Sequence, residues 1–280
     1  MFQRISNSWE LVKASAAVLR ADKELVVFPI VSAIAALIVT ASFVVPTILA
    51  GLVDSVVAGE ATVLGGIVAF LFYLVQYFAI FFCNSALVGA AMIRLRGGNP
   101  TVGDGFRIAF GHTGSILGYA FIAATVGMIL RWLSERAGVL GRIVISLLGM
   151  LWNVATYLVV PVLVMEEVGP VDAVKRSVEL LKRTWGEQII GNFGVGLIFG
   201  LLAFLIILVG VPLIILAATT ESVALIILAV AVLVLALVFL ALINSTLSGI
   251  YTAAVYQYAV TGETSGYFRQ DLVENAFRRK

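Results

Sequence analysis

Six long stretches of the chain are apolar on every face, and short segments carrying most of the charge separate them. They run over Leu25–Val53, Ala61–Ile93, His112–Leu133, Val139–Met165, Gln188–Ala218 and Ser222–Tyr258. An apolar helix of roughly 20 residues crosses a bilayer core about 30 Å thick, so each stretch predicts a transmembrane helix. None alternates apolar and polar positions as a membrane β-strand must. Several exceed the minimum length, which predicts tilting or kinking, and Pro29, Pro46, Pro161 and Pro212 mark kinks or ends. Between stretches the pattern becomes one-sided. Val171, Val174, Val178 and Leu181 recur at helical spacing, with Lys175, Arg176, Lys182 and Arg183 off that stripe. Such segments predict amphipathic helices lying in the membrane interface. The expected fold class is all-α, a polytopic membrane helical bundle of six transmembrane helices plus cytoplasmic interfacial helices, in a single membrane domain over residues 1–280. The 24 residues before the first stretch include Glu10, Asp22 and Glu24, which favours an uncleaved anchor over a signal peptide.

Composition agrees with this and removes other classes. Hydrophobic residues make up 61% of the 280 and charged residues 12%, with a mean hydropathy of +1.10. Soluble domains hold about a quarter charged residues. A disordered chain, a nucleic-acid binder and an ordinary soluble enzyme are excluded. The one cysteine, Cys83, excludes a disulfide framework and a thiolate metal cage. Net charge is only +2, but its distribution is lopsided. Fifteen lysines and arginines lie in the N-terminal segment, after the second and fourth stretches, and in the tail; Arg131, Arg136 and Arg142 alone lie on the other side. Positive loops stay inside, which predicts a multi-pass cell-membrane protein with both termini in the cytoplasm.

The chain also reads as one module used three times, over 1–97, 98–168 and 169–262, with a tail over 263–280. Ser8-Trp9-Glu10-Leu11-Val12-Lys13 parallels Ser177-Val178-Glu179-Leu180-Leu181-Lys182, and Asn84-Ser85-Ala86-Leu87-Val88-Gly89 parallels Asn244-Ser245-Thr246-Leu247-Ser248-Gly249. The middle module offers Thr101–Phe110, entered through Gly98-Asn99-Pro100 as the third is through Val168-Gly169-Pro170, and Asn153 at the asparagine position. At about 1.5 Å per residue the three asparagines lie roughly 14–21 Å deep, near the midplane. Three parallel hairpins predict a pseudo-threefold arrangement; chance recurrence of small residues and asparagine is the alternative.

The chain carries none of the common catalytic motifs. His112 is the only histidine, so no HExxH zinc site can form. There is no GxSxG elbow and no GxxxxGK phosphate loop. Asp104, in Gly103-Asp104-Gly105, has no aspartate partner in another stretch, and adjacent Glu166 and Glu167 point about 100° apart on a helix. No enzymatic activity and no cofactor are expected. The polar residues within apolar stretches are Gln76, Asn84, Asn153, Asn192 and Asn244. Asparagines there can bridge helices or line a polar path. Arg131, beside Trp132, reads as a snorkelling residue, with a substrate role as the alternative. The pairs Gly114/Gly118, Gly196/Gly200, Ser85/Gly89 and Ser245/Gly249 predict close helix packing, inside one chain or between copies.

Two segments carry a resemblance. The opening, Ser8-Trp9-Glu10-Leu11-Val12-Lys13 with Leu19–Leu25 and Phe28-Pro29, resembles the start of an uncharacterised prokaryotic membrane-protein family of about six spans. The ending, Tyr256-Gln257-Tyr258-Ala259 with Thr261-Gly262-Glu263 and Asn275-Ala276-Phe277, resembles that family too. The resemblance implies no activity. Ala173–Lys182 is also weakly similar, over one helix, to the membrane domain fused to some glycerophosphodiester phosphodiesterases, which hints at lipids.

The expectation is a non-enzymatic membrane protein engaging lipids or partner membrane proteins. Lys175, Arg176, Lys182 and Arg183 are its candidate contacts to anionic headgroups. The alternative is a channel or facilitator, with Asn84, Asn153 and Asn244 lining a path within one chain or a homo-oligomer. A lipid-modifying enzyme is a third, weaker reading.

Overall fold

The computed structural model describes residues 2–49, 63–185, 194–270 and 273, and among them every regular element is helical. Helix α1 (Phe2–Ala21) leads through a 3-10 turn (Lys23–Val26) into α2 (Val27–Leu49). Then come α3 (Val63–Leu95), α4 (Val102–Gly111), α5 (Thr113–Arg136), α6 (Val139–Ala155) and α7 (Val159–Met165). The last three are α8 (Pro170–Trp185), α9 (Gly194–Thr219) and α10 (Val223–Thr261). Helices α2, α3, α5, α9 and α10, and α6 continued by α7, give six helical segments long and apolar enough to cross a membrane. The protein is an all-α, polytopic, membrane-type bundle. The predicted boundaries at Val53, Ala61 and Gln188, together with Asn192 and the tail residues Arg278, Arg279 and Lys280, lie outside the described residues.

The prolines act unequally. Pro46 and Pro212 sit inside unbroken α2 and α9. Pro161 accompanies a real break, at Thr156–Leu158, where the fourth span divides into α6 and α7. Its ring lacks an N–H and crowds the carbonyl four residues back, that of Tyr157. Tight-turn bonds from Tyr157 N–H to the Val154 carbonyl and from Val159 N–H to the Thr156 carbonyl, both 3.1 Å, close the gap. The buried Leu158 N–H instead donates to Ser177 Oγ of α8, at 3.1 Å. This contact sets the inward face of α8. Ala173, Ser177, Leu180 and Leu181 are buried, whereas Val171, expected on the apolar stripe, is 55% exposed. Satisfying a buried backbone donor outweighs the hydropathy of one valine.

Helix α3 is the hub, touching α2, α4, α5, α7 and α10. Its buried residues begin only at Cys83, those of α10 only at Thr246, and α6 buries none. The core therefore occupies one end of the bundle, where Leu11 and Val18 of α1, Phe28, Leu163, Leu180, Phe268 and Val273 join it. We call this the basic end, since the loop after α3, α4 and α8 carry their arginines and lysines there. Polar bonds pin it. The Arg94 guanidinium grips the Asp22 carboxylate with two nitrogens and also donates to Asn99 Oδ1 at 2.6 Å. Val102 N–H donates to Glu24 Oε2 at 3.2 Å.

Close approach explains several glycines. A Cβ on Gly105 would lie 2.4 Å from Phe28 Cζ and 2.7 Å from the Ala86 carbonyl oxygen. Gly89, Gly118 and Gly249 are approached by Ile108, Pro170 and Leu87 of the same chain, while Gly114 and Gly200 have open space beside them. For those three, the small residues serve packing within one chain.

Candidate ligand sites

Two cavities bring polar side chains together, one among the spans and one at the basic end. The first lies between α2, α3 and α10 and has a volume of about 320 Å³. Its polar lining is Ser32, Asn84, Asn244, Ser245, Ser248 and Thr252, with Cys83 beside them. The positions 245, 248 and 252 fall on one face of α10, and 83, 84 and 87 on one face of α3. Phe28 and Leu87, each 1% exposed, floor the cavity toward the core. Ser245 and Ile80 are exposed at its rim. Asn244 Oδ1 is buried and has no hydrogen-bond partner among the described residues. Among the described residues no Asp, Glu, Lys or Arg lines this cleft.

The second cavity, also about 320 Å³, is lined by Arg96 after α3, Glu166 after α7, Arg176 of α8, and Tyr256, Gln257 and Thr261 of α10, over an apolar wall of Met92, Met165 and Val260. Glu166 organises it. One carboxylate oxygen accepts from Arg176 Nε at 2.9 Å and the other from the Tyr256 hydroxyl at 3.0 Å. Arg176 also pairs with Glu179 at 3.0 Å. Its hydrogen bond to Glu179, with Glu166 assisting, holds the Arg176 pKa above its ordinary value against the opposing pull of burial. Arg96 reaches Met165 Sδ at 3.9 Å and has no acidic partner within ion-pair distance among the described residues. Gln257 Oε1 is buried without a partner among the described residues.

The sequence-derived candidates divide accordingly. Asn84 and Asn244 meet in the first cavity, while Asn153 is exposed on α6 and lines neither. Of the four cations of α8, Arg176 lines the basic-end cavity and Lys175 pairs with Asp172 at 2.9 Å. Lys182 and Arg183 are exposed, with no acidic partner among the described residues. Asp104 belongs to a capping box that starts α4. Its carboxylate accepts from Thr101 N–H at 3.0 Å and from the Thr101 hydroxyl at 2.7 Å, and its own N–H donates to Thr101 Oγ1 at 3.2 Å. Those bonds from Thr101 hold its pKa below the ordinary carboxylate value. The His112 ring bonds the Ile108 carbonyl at 2.8 Å. Arg131 binds Glu135 at 2.8 Å and the Tyr73 hydroxyl at 2.6 Å, and Trp132 stacks with Arg136 at 3.9 Å.

Sequence reasoning missed Ser32, Ser248 and Thr252 in the first cavity and Arg96, Tyr256 and Gln257 in the second. A signal for the first set was present, because Asn244, Ser248 and Thr252 follow helical spacing. Arg96 was counted only toward orientation; its meeting with Arg176, 80 positions later, is set by tertiary packing.

A family model described as a family of unknown function (DUF6159) matches residues 63–267, well over half of the chain. The match includes Tyr256-Gln257-Tyr258-Ala259 and stops short of the opening Ser8–Lys13 segment and of Asn275-Ala276-Phe277. No curated protein and no solved structure matches the chain.

Proposed function

The chain belongs to DUF6159, and we propose from its own geometry that it is a non-enzymatic membrane protein that engages anionic lipid headgroups at its basic end. The cavity that joins Arg96 to Arg176 carries this reading. Arg176 is positioned by Glu166 and Glu179, so it is pre-organised before a ligand arrives. Arg96 has no acidic partner among the described residues and supplies the positive charge that an anion needs, and Lys182 and Arg183 extend the field along α8. Methionine and valine walls beside the two guanidinium groups suit a phosphate attached to acyl chains. The charge bias supports a cytoplasmic position for this end, where it would meet the anionic inner leaflet.

The non-enzymatic part draws support from the carboxylates. Asp104 and Glu166, which a reaction would draw upon, are engaged in a helix cap and an ion pair. A polar path through one chain has less support, since the cleft holding Asn84 and Asn244 is floored by Phe28 and Leu87 and does not include Asn153.

The test is native mass spectrometry from nanodiscs containing phosphatidylglycerol and phosphatidylcholine. Arg96→Gln combined with Lys182→Gln and Arg183→Gln is expected to cut retained phosphatidylglycerol on the order of a hundredfold, at about 1 kcal/mol per cation, leaving phosphatidylcholine unchanged. Equal retention of phosphatidylglycerol by wild type and variant would sink the reading.

A further inference from the structure

We infer that the cleft between α2, α3 and α10 binds the polar end of an uncharged, hydroxyl-bearing lipid, with diacylglycerol as the simplest representative. The site is separate from the basic-end cavity and differs from it in chemistry. Its lining holds hydroxyls, two carboxamides and one thiol, and no charged side chain. A phosphate or ammonium group would stand unpaired there, in surroundings where an unpaired charge costs most. Neutral hydrogen-bonding groups face no such cost.

The lining groups specify the ligand further. The Asn84 and Asn244 carboxamides line the cleft, and rotation of either amide presents an acceptor to it, so an occupant that brings an O–H is matched. The serine hydroxyls and the Asn84 amide offer donors in return, so it must also bring acceptors. A free hydroxyl next to two ester carbonyls provides both within the span of a glycerol unit. At about 320 Å³ the cleft falls within the range of small-molecule pockets, roughly 300–1,000 Å³.

Position agrees with chemistry. Asn84 lies 11 residues before the end of α3 at Leu95, about 16 Å along the helix, and Asn244 lies deeper still relative to the end of α10. A phospholipid is tethered at the interface by its charge, whereas a lipid without phosphate can carry its hydroxyl to this depth. The rim is open at Ser245 and Ile80, and the far halves of α2 and α10 expose apolar side chains such as Leu37 and Phe239 for acyl chains to follow.

The full-length protein in phosphatidylcholine nanodiscs would be labelled with a photoactivatable diacylglycerol and the adducts mapped. Adducts are expected on peptides containing Asn84 and Asn244. Unlabelled diacylglycerol should compete at least about fivefold better than its 3-O-acetyl analogue, which has the same esters but no hydroxyl, the worth of one neutral hydrogen bond. Asn244→Leu should lose that discrimination. Should this variant fail to fold, the two competitors still decide the matter on the wild-type chain. Equal competition by both, or adducts spread along the far half, would overturn the proposal, leaving water as the occupant. Protection from labelling that tracks disulfide capture of one Ser245→Cys copy by another would also overturn it and give the cleft to a second copy.

Discussion

The two halves of this bundle solve different problems with the same helices. Toward the basic end, α3 and α10 bury nearly every inward residue, and the joints are fixed by the Asp22–Arg94 pair, the Thr101–Asp104 cap and the Ser177–Leu158 bond. Toward the far end the same two helices expose leucine, valine and phenylalanine, and ion pairs such as Arg131–Glu135 lie at the surface. An apolar face left uncovered by the chain is what a bilayer supplies a cover for. Helix arrangement is therefore specified at the basic end and propagated outward by helix stiffness.

Paired substitutions can break this contrast. The largest effect is expected from Gly105→Ala, whose new methyl meets a backbone carbonyl as well as a ring; destabilisation should approach or exceed the top of the roughly 1–3 kcal/mol typical of overpacking. Gly200→Ala, in open space on α9, should be neutral or stabilising by up to about 1 kcal/mol. Thermal melts in one detergent compare them, and equal losses would refute a single packed end. Next, Asp22→Asn should cost about 1.5–3 kcal/mol by leaving the largely buried Arg94 uncompensated, and Glu135→Gln no more than about 1 kcal/mol. A larger cost for Glu135→Gln would reverse the assignment of strength.

The smallest effect is pH-dependent. Because the Asp104 pKa is lowered in the fold, its contribution is fully present above the ordinary carboxylate value and is lost as pH falls through the lowered one. The difference in melting temperature between wild type and Asp104→Ala should therefore shrink on acidification from about pH 6 to about pH 3. A difference that grows would show that the cap is not the source.

The apolar spans were legible because their signal is local: length and hydropathy suffice to mark α2, α3, α5, α9 and α10. The Pro161 break was legible as a kink site for the same reason. The asparagines were legible as polar groups in apolar helices, but not their grouping. Asn84 and Asn244 meet because Gly249 lets Leu87 of α3 approach α10 closely, and Asn153 has no such neighbour drawing it in. On α8 the apolar stripe was legible in part: Leu181 is buried and Val174 packs against the core, whereas Ala173 and the Ser177 hydroxyl, which hydropathy does not rank as inward, dock there as well. Arg96 looked like one positive charge among fifteen, and only the folded chain shows it facing Arg176 across a cavity.

The Leu158–Ser177 bond has a consequence for how the protein is made. The donor is synthesised 19 residues before its acceptor, so the turn that divides the fourth span is completed only once α8 has been made and docked.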